Sequence, residues 1–120
     1  MGVVSLAGKL AGFSEYWSPK IVARYNGNDV MVVKLKGEFV WHSHAETDDF
    51  FLVLKGRLRI EVREGNVRKD VELGPGELYV VPRGVEHRPV AEEEVHLLLI
   101  EPVGTPNTGD VSTAAFKEMV

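Results

Sequence analysis

Residues 37–49 read Gly37-Glu-Phe-Val-Trp-His42-Ser-His44-Ala-Glu-Thr-Asp-Asp49, and an apolar run from Phe50 to Leu54 then leads to Lys55 and Gly56. In an extended strand, side chains two positions apart point to the same face. The His42 and His44 imidazoles should therefore project together, whereas the same spacing on a helix would separate them. The segment predicts a histidine pair that one metal ion can bridge.

A second segment, at residues 76–87, has similar glycine and proline punctuation and contains a further histidine. It reads Gly76-Glu-Leu-Tyr-Val-Val-Pro82-Arg-Gly84-Val-Glu-His87. We predict that His87 joins His42 and His44 around one ion gripped from two strands. The chain contains no cysteine, so the ligands would be nitrogen and oxygen atoms and a thiolate zinc site is excluded.

Polar and apolar residues alternate through much of the chain, which is typical of strands that are buried on one face. Glu64-Gly65-Asn66 and Asn26-Gly27-Asn28 predict tight hairpin turns. We predict nine short strands, at residues 21–25, 29–36, 39–44, 49–55, 57–63, 67–73, 78–81, 87–90 and 95–101. Short helices are predicted only near the ends, at 4–12 and at 112–119 with Ser112 as N-cap. The pattern indicates an all-β antiparallel sandwich or barrel.

Composition limits the domain organisation and the partners. A chain of 120 residues suits one domain, and its net charge of −4 comes without a basic stripe, so we do not expect a nucleic-acid partner. No apolar run approaches the ~18 residues that cross a bilayer, and the N-terminus lacks a basic, then apolar, signal pattern. We predict a cytoplasmic protein with no membrane partner.

The run Phe50-Phe51-Leu52-Val53-Leu54 does not alternate, so both faces of its strand should be covered. One face belongs to the interior of the barrel. The N-terminal segment or a second copy of the protein must cover the other. We favour a homodimer.

The two histidine segments resemble the paired motifs of the cupin superfamily. Those motifs have a glycine, a His-x-His pair, an acidic residue and a glycine, followed after a short hairpin by a glycine, a Pro-x-Gly and a last histidine. The match covers about residues 20–102 and is most similar to small single-domain cupins described as mannose-6-phosphate isomerase-like. The resemblance implies one cupin domain over residues 1–120, with an antiparallel double-stranded β-helix, or jelly-roll barrel, as its core at about 20–102.

The resemblance also implies a ligand set of His42, His44 and His87, with Asp49 in the place of the family's glutamate. Aspartate is one methylene shorter, and metal bond lengths vary by only about 0.2 Å. Three outcomes are open: the backbone moves Asp49 inward, a water bridges it to the ion, or three histidines bind alone. Glu46 shares the parity of the histidine pair and is a rival ligand.

Other residues are assigned to the wall of the site. Phe51 and Val53 share the face of Asp49 and, together with His96, are the predicted substrate-binding residues. For His96, the preferred interpretation is a buried, hydrogen-bonded histidine, and lining the cavity is the alternative. The predicted apolar wall comprises Phe39, Phe51, Val53, Leu98 and Ile100. Trp41 should face away from the histidines and serve packing.

Three hypotheses of function follow. The first is a metal-dependent enzyme that carries out dioxygenase-like oxidation or isomerisation of a small organic molecule. The second is a sugar- or metabolite-binding module without turnover, and the third is a metal-stabilised structural domain. The predicted cofactor is one divalent transition metal ion, which could be iron, manganese, nickel, copper or zinc. Sugar-phosphate isomerisation is poorly supported, because no glycine-rich loop opens a helix that could bind phosphate.

Overall fold

The structure is a computed structural model that describes residues 2–120 and contains eight strands and one short helix within that range. The helix α1 spans Leu6–Leu10, and Ser5 caps it by accepting a hydrogen bond from the Gly8 N–H. The strands are β1 (Lys20–Tyr25), β2 (Asn28–Glu38), β3 (Asp49–Lys55), β4 (Leu58–Glu64), β5 (Val67–Leu73), β6 (Leu78–Val81), β7 (Glu86–Pro102) and β8 (Glu118–Met119). The predicted all-β jelly-roll class is confirmed.

The longest strand, β7, organises the barrel. One of its edges pairs with β2 along nearly its whole length. On the other edge, its first part pairs with β4 and its later part pairs with β3. The single strand β7 therefore connects β2 on one side with both β4 and β3 on the other. The prediction of separate strands at 87–90 and 95–101 is wrong, because β7 runs unbroken through the charged residues between them. Its pairing with β2 resumes on either side of an irregularity at these residues.

The interior of the barrel is built by the inward faces of β2, β3, β4 and β7. Val53 lies opposite Leu97 in the β3–β7 pair, and both are almost fully buried. This register turns Leu97 and Leu99 inward and leaves Leu98 and Ile100 half-buried on the outer face. The predicted placement of Leu98 and Ile100 in the interior wall is therefore wrong by one residue.

Two other predicted elements do not form. Residues 39–44 are not a strand, since β2 ends at Glu38 and only His42 makes a β-bridge beyond it. The predicted helix at 112–119 is absent, because the Asp110 side chain accepts hydrogen bonds from both the backbone N–H and the hydroxyl of Ser112. Such a local turn competes with helix formation. The chain ends instead in β8, which runs parallel to β1 in an otherwise antiparallel sheet.

Residues 103–119, called the C-terminal strap here, pass beside the first histidine segment. A Cβ atom added to Gly109 would lie 2.1 Å from the Ser43 carbonyl oxygen, so the two backbones are in close contact. Near the end of the strap, the Lys117 ammonium donates to the Glu101 carboxylate at 3.0 Å and to the Thr105 carbonyl. The strap is thereby held against the end of β7.

The outer face of the barrel is covered in part. Leu6, Leu10 and Phe13 from the N-terminal segment pack against Val22 and Val32 and against their neighbours Val30 and Leu54. Phe50 and Leu52, which lie on β3 together with Leu54, remain half-buried.

Within residues 2–120, no helix has the length and apolar character required to cross a membrane.

Candidate metal centre

Backbone pairing brings the two histidine segments together. The N–H of His42 donates to the His87 carbonyl at 3.1 Å, and the N–H of His87 donates back to the His42 carbonyl at 2.9 Å. Two residues later, the His44 carbonyl accepts from the Gly84 N–H at 2.8 Å. Asp49, the first residue of β3, lies opposite Val81 of β6. Each predicted ligand is thus attached to the opposite segment by the main chain.

The four predicted ligand residues are buried, and one ligand atom from each lies within 4.8 Å of the others. Asp49 Oδ2 is at the centre of the group. It lies 2.7 Å from His87 Nε2, 3.2 Å from His44 Nε2 and 4.0 Å from His42 Nε2. The Asp49 carboxylate therefore reaches the three imidazoles despite its short side chain.

Two of the imidazoles are oriented by the same local hydrogen bond. His42 Nδ1 lies 2.9 Å from the Val40 carbonyl oxygen, and His87 Nδ1 lies 3.0 Å from the Val85 carbonyl oxygen. A carbonyl can only accept, so each Nδ1 carries a hydrogen and each Nε2 faces the group. Protein metal sites commonly fix the tautomer and orientation of a histidine ligand in this way.

His44 provides a direct test of whether a cation fits. Its Nε2 atom is buried and has no hydrogen bond of acceptable geometry within the described residues. Donor atoms about 2.0–2.2 Å from one ion lie roughly 3 to 3.5 Å from one another, close to the separations around Asp49 Oδ2. Three imidazole nitrogens and one carboxylate oxygen therefore fit a divalent transition metal ion.

The electrostatics favour the cation-binding protonation state of two ligands, the ionised Asp49 carboxylate and the neutral His42 imidazole. Burial acts to raise the pKa of Asp49, but the contacts with His44 and His87 outweigh burial and lower it to about 2. Burial is the main reason that the pKa of His42 falls to about 4. Burial also opposes protonation of His44, yet Asp49 and Glu101 outweigh burial and raise its pKa above the ordinary value.

These shifts predict how metal affinity depends on pH. Protons compete with the ion for His44, whose pKa is raised, at a higher pH than for His42, whose pKa is about 4. Below the pKa of His44, we expect the apparent affinity to fall about tenfold per pH unit. Titration of the metal-free protein with Zn²⁺ at a series of pH values measures this dependence. An affinity that stays flat between about pH 7 and about pH 5 would contradict it.

A cavity lies beside the metal centre, and its wall is mostly apolar. Its lining includes His42 and Asp49 and the apolar residues Val33, Leu35, Phe39, Phe51, Leu97 and Leu99. Of the predicted substrate-binding residues, Phe51 lines this cavity, whereas Val53 and His96 do not. Leu97 and Leu99 take the places predicted for Leu98 and Ile100.

Residues outside the cluster also have clear positions. His96 shares the outward parity of Leu98, and its Nε2 lies 2.6 Å from Glu94 Oε2. Glu46 is exposed in the loop before β3 and is not part of the ligand group. Trp41 packs under the Arg63 guanidinium at 4.2 Å from the ring centroid, away from the cluster.

The cavity lining includes residues that the sequence did not indicate, among them Trp17, Glu101 and Asn107. Glu101 shares strand parity with Leu97 and Leu99, so only the register of β7 against β3 identifies it as a lining residue. The burial of Glu101, followed by repulsion from Asp49, raises its pKa against the opposing effect of Lys117. Trp17 and Asn107 lie in irregular segments, and no periodic pattern points to them.

Residues 29–101 match the family model of the Cupin domain, Cupin_2. The chain belongs to the cupin family. This match confirms the superfamily that the two histidine segments indicated, and the mannose-6-phosphate isomerase-like group stays a prediction.

Solved structures and a curated relative extend the comparison. A cupin-2 domain containing protein from Shewanella frigidimarina NCIMB 400 is 43% identical with a TM-score of 0.78, covering 83% of this chain and 94% of that one. The uncharacterized protein YdbB of Bacillus subtilis (strain 168) is 28% identical over 67 residues, which are 56% of this chain and only 57% of that protein. Hydroquinone 1,2-dioxygenase PnpCD, solved with Cd²⁺ and 4-hydroxybenzonitrile, is 19% identical with a TM-score of 0.69, covering 92% of this chain and 74% of that one. The likeness to PnpCD shows a shared fold alone.

Proposed function

We propose that this protein is a metal-dependent cupin enzyme that performs dioxygenase-like oxidation of a small organic molecule. The observation that carries the proposal is the convergence of three imidazole nitrogens and one carboxylate oxygen at a buried point beside a cavity. Isomerisation is the second reaction class that the same centre would support.

The ligands we propose are His42, His44, Asp49 and His87, and this donor set suits iron(II), manganese, nickel, copper or zinc. When bound, such an ion supplies Lewis-acid or oxygen chemistry and leaves positions for substrate. The chain itself contributes the orientation of the imidazoles, through Val40 and Val85, and an apolar wall that limits water in the site. Because His42 and Asp49 also line the cavity, a substrate bound there would lie against the ion.

The cavity lining argues against a sugar phosphate as substrate. Phosphate groups are usually bound by arginine, lysine or the backbone N–H groups of a helix N-terminus. None of the residues that line the cavity is arginine or lysine, and the one helix that the structure describes, α1, packs on the outer face. An uncharged organic molecule fits this wall better.

The alternative function is a binding module that captures a sugar or metabolite without turnover. The coordination sphere and the turnover of substrate separate the hypotheses, since a catalytic ion keeps exchangeable positions and a structural ion does not.

We expect azide to change the visible absorption spectrum of the cobalt(II)-loaded protein. We also expect the iron(II)-loaded protein to consume oxygen with hydroquinone. A spectrum that azide leaves unchanged would favour a structural ion, and an azide response without oxygen uptake on any hydroxylated aromatic compound would favour the binding module.

We propose further that the protein is a cytoplasmic homodimer. The outer face next to the area covered by α1 presents Phe50, Leu52, Leu98 and Ile100 half-buried, with Leu78 exposed on β6. Leu52 lies opposite Leu78 on one neighbouring strand and opposite Leu98 on the other. Apolar patches on a protein surface often mark protein–protein interfaces. We expect Leu78→Glu to convert the dimer to a monomer in light scattering without lowering the metal content. A wild-type protein that is already monomeric would exclude the dimer.

A further inference from the structure

The cavity beside the metal centre contains two polar side chains that the ligand set leaves out. Apart from His42 and Asp49, the carboxyl group of Glu101 and the amide of Asn107 line an otherwise apolar wall. Small-molecule sites typically combine an apolar wall with a few placed polar groups that fix the orientation of the ligand. Glu101 and Asn107 are polar groups of this kind in an otherwise apolar cavity wall.

Glu101 is 4% exposed and lies on the inward face of β7, two residues beyond Leu99. A buried carboxylate is costly unless it is paired or hydrogen-bonded. Lys117 of the C-terminal strap supplies that partner for one oxygen, with its Nζ 3.0 Å from Oε2. The structure of residues 2–120 contains no hydrogen bond to the other oxygen, Oε1. Glu101 therefore offers a fixed acceptor with one free oxygen.

Asn107 reaches the cavity from the C-terminal strap. Its Oδ1 accepts a hydrogen bond from the Ala115 N–H at 2.8 Å. Because a backbone N–H can only donate, this contact assigns the oxygen to the side facing Ala115 and leaves the amide NH₂ on the opposite side. Asn107 therefore adds a donor to the acceptor that Glu101 provides.

The apolar part of the wall includes a stacked aromatic pair, Trp17 and Phe39, and the backbone of Trp17 is strained. Trp17 has a φ of 59°, which is unusual for a bulky residue, and its indole stacks on Phe39 with ring centroids 4.8 Å apart. The Trp17 backbone N–H donates to the Lys34 carbonyl and its indole N–H donates to the Lys36 carbonyl, both at 2.9 Å. Strain that surrounding contacts maintain is often found at ligand sites. Trp17 and Phe39 offer a rigid surface suited to a flat ring.

We infer that Glu101 and Asn107 are a ligand-orienting pair, and that the ligand is a small, uncharged aromatic compound with a hydroxyl group. The hydroxyl donates to Glu101 Oε1 and accepts from the Asn107 amide, while the ring packs against Trp17 and Phe39. This inference rests on the proposed function and names the substrate class for the same site.

Phenol and toluene are suitable probes, because they have nearly the same shape and only phenol can donate a hydrogen bond. We expect the zinc-loaded protein to prefer phenol in isothermal titration calorimetry. Hydrogen bonds to charged groups are the stronger class, so Glu101→Gln should weaken phenol binding about tenfold and leave toluene binding unchanged. Asn107→Asp keeps the acceptor for the Ala115 N–H, removes the donor and should also weaken phenol binding.

Two further variants complete the test. Glu101→Leu combined with Lys117→Met removes both charges together, so no unpaired ammonium is buried if Glu101→Gln proves unstable. Glu46→Gln is the matched control, since Glu46 is exposed and outside the cavity. Phenol affinity should be lost in the double variant and unchanged in the control.

The same titrations on metal-free protein separate the two proposals. If the protein binds no metal, the proposed function fails, yet a preference for phenol that depends on Glu101 would still support the orienting pair. A wild-type protein that binds toluene as tightly as phenol overturns the pair, as does a Glu101→Gln protein with unchanged phenol affinity.

Discussion

A His87→Ala variant should bind its divalent ion more than about a hundredfold more weakly than the wild-type protein. Changes to groups that merely orient metal ligands typically cost about 10- to 100-fold, so the loss of a ligand should exceed that range. His87 is 1% exposed and is the nearest imidazole to Asp49 Oδ2, so alanine would also remove the main partner of that carboxylate. Competition with a chromophoric chelator, together with elemental analysis of protein purified without chelator, measures the loss.

His96→Ala is the matched control for this experiment. His96 lies on the same strand as His87 and is also a largely buried histidine paired with a carboxylate, that of Glu94. It is outside the ligand group, so its replacement should leave the metal content per protein unchanged. If both variants retain metal, the ligand set is misassigned. If both lose metal equally, the loss reflects general destabilisation of β7.

Gly56→Ala should lower the free energy of unfolding by about 2 to 5 kcal/mol. This is the second of the two largest effects that we expect. Gly56 has a φ of +86°, a region that L residues disfavour, and an added Cβ would lie 2.6 Å from the Glu94 carbonyl oxygen. Backbone strain and a clash with backbone therefore combine at this position. Urea unfolding measures the result as a lower midpoint with an unchanged slope.

Gly76→Ala separates the two causes. Gly76 has a similar φ of +81°, but nothing lies within 4 Å of the added Cβ. This variant should show the conformational cost alone, about 1 to 2 kcal/mol. An equal loss in the two variants would mean that the approach of Gly56 to Glu94 contributes nothing.

The fold could be predicted because its signals are local. Strict alternation marked β4 and β5, and Asn26-Gly27 marked the turn between β1 and β2. The spacing within two punctuated segments predicts the three histidines of the metal centre, and the family resemblance adds Asp49. The structure then brings their ligand atoms within 4.8 Å of one another.

Apart from Phe39 and Phe51, the wall of the cavity could not be predicted in the same way. Residues 97–100 are apolar on both faces, so periodicity cannot decide whether Leu97 or Leu98 points inward. Register with Val53 of β3 decides it, and that pairing joins distant parts of the chain. The path of the C-terminal strap depends likewise on a long-range contact, that of Lys117 with Glu101. Trp17 has a positive φ that no sequence pattern indicated.

The length of β7 has a consequence for the order of folding events. Its partners come from early parts of the sequence, as in the pairing of Val30 with Ile100, and such topologies fold in about milliseconds to seconds. His87 lies near the beginning of β7, and its bridge to His42 requires this strand to be in place. The ion would then bind after the rate-limiting step, leaving the refolding rate unchanged while slowing unfolding. Metal loading would thus lengthen the lifetime of the native protein without assisting its formation.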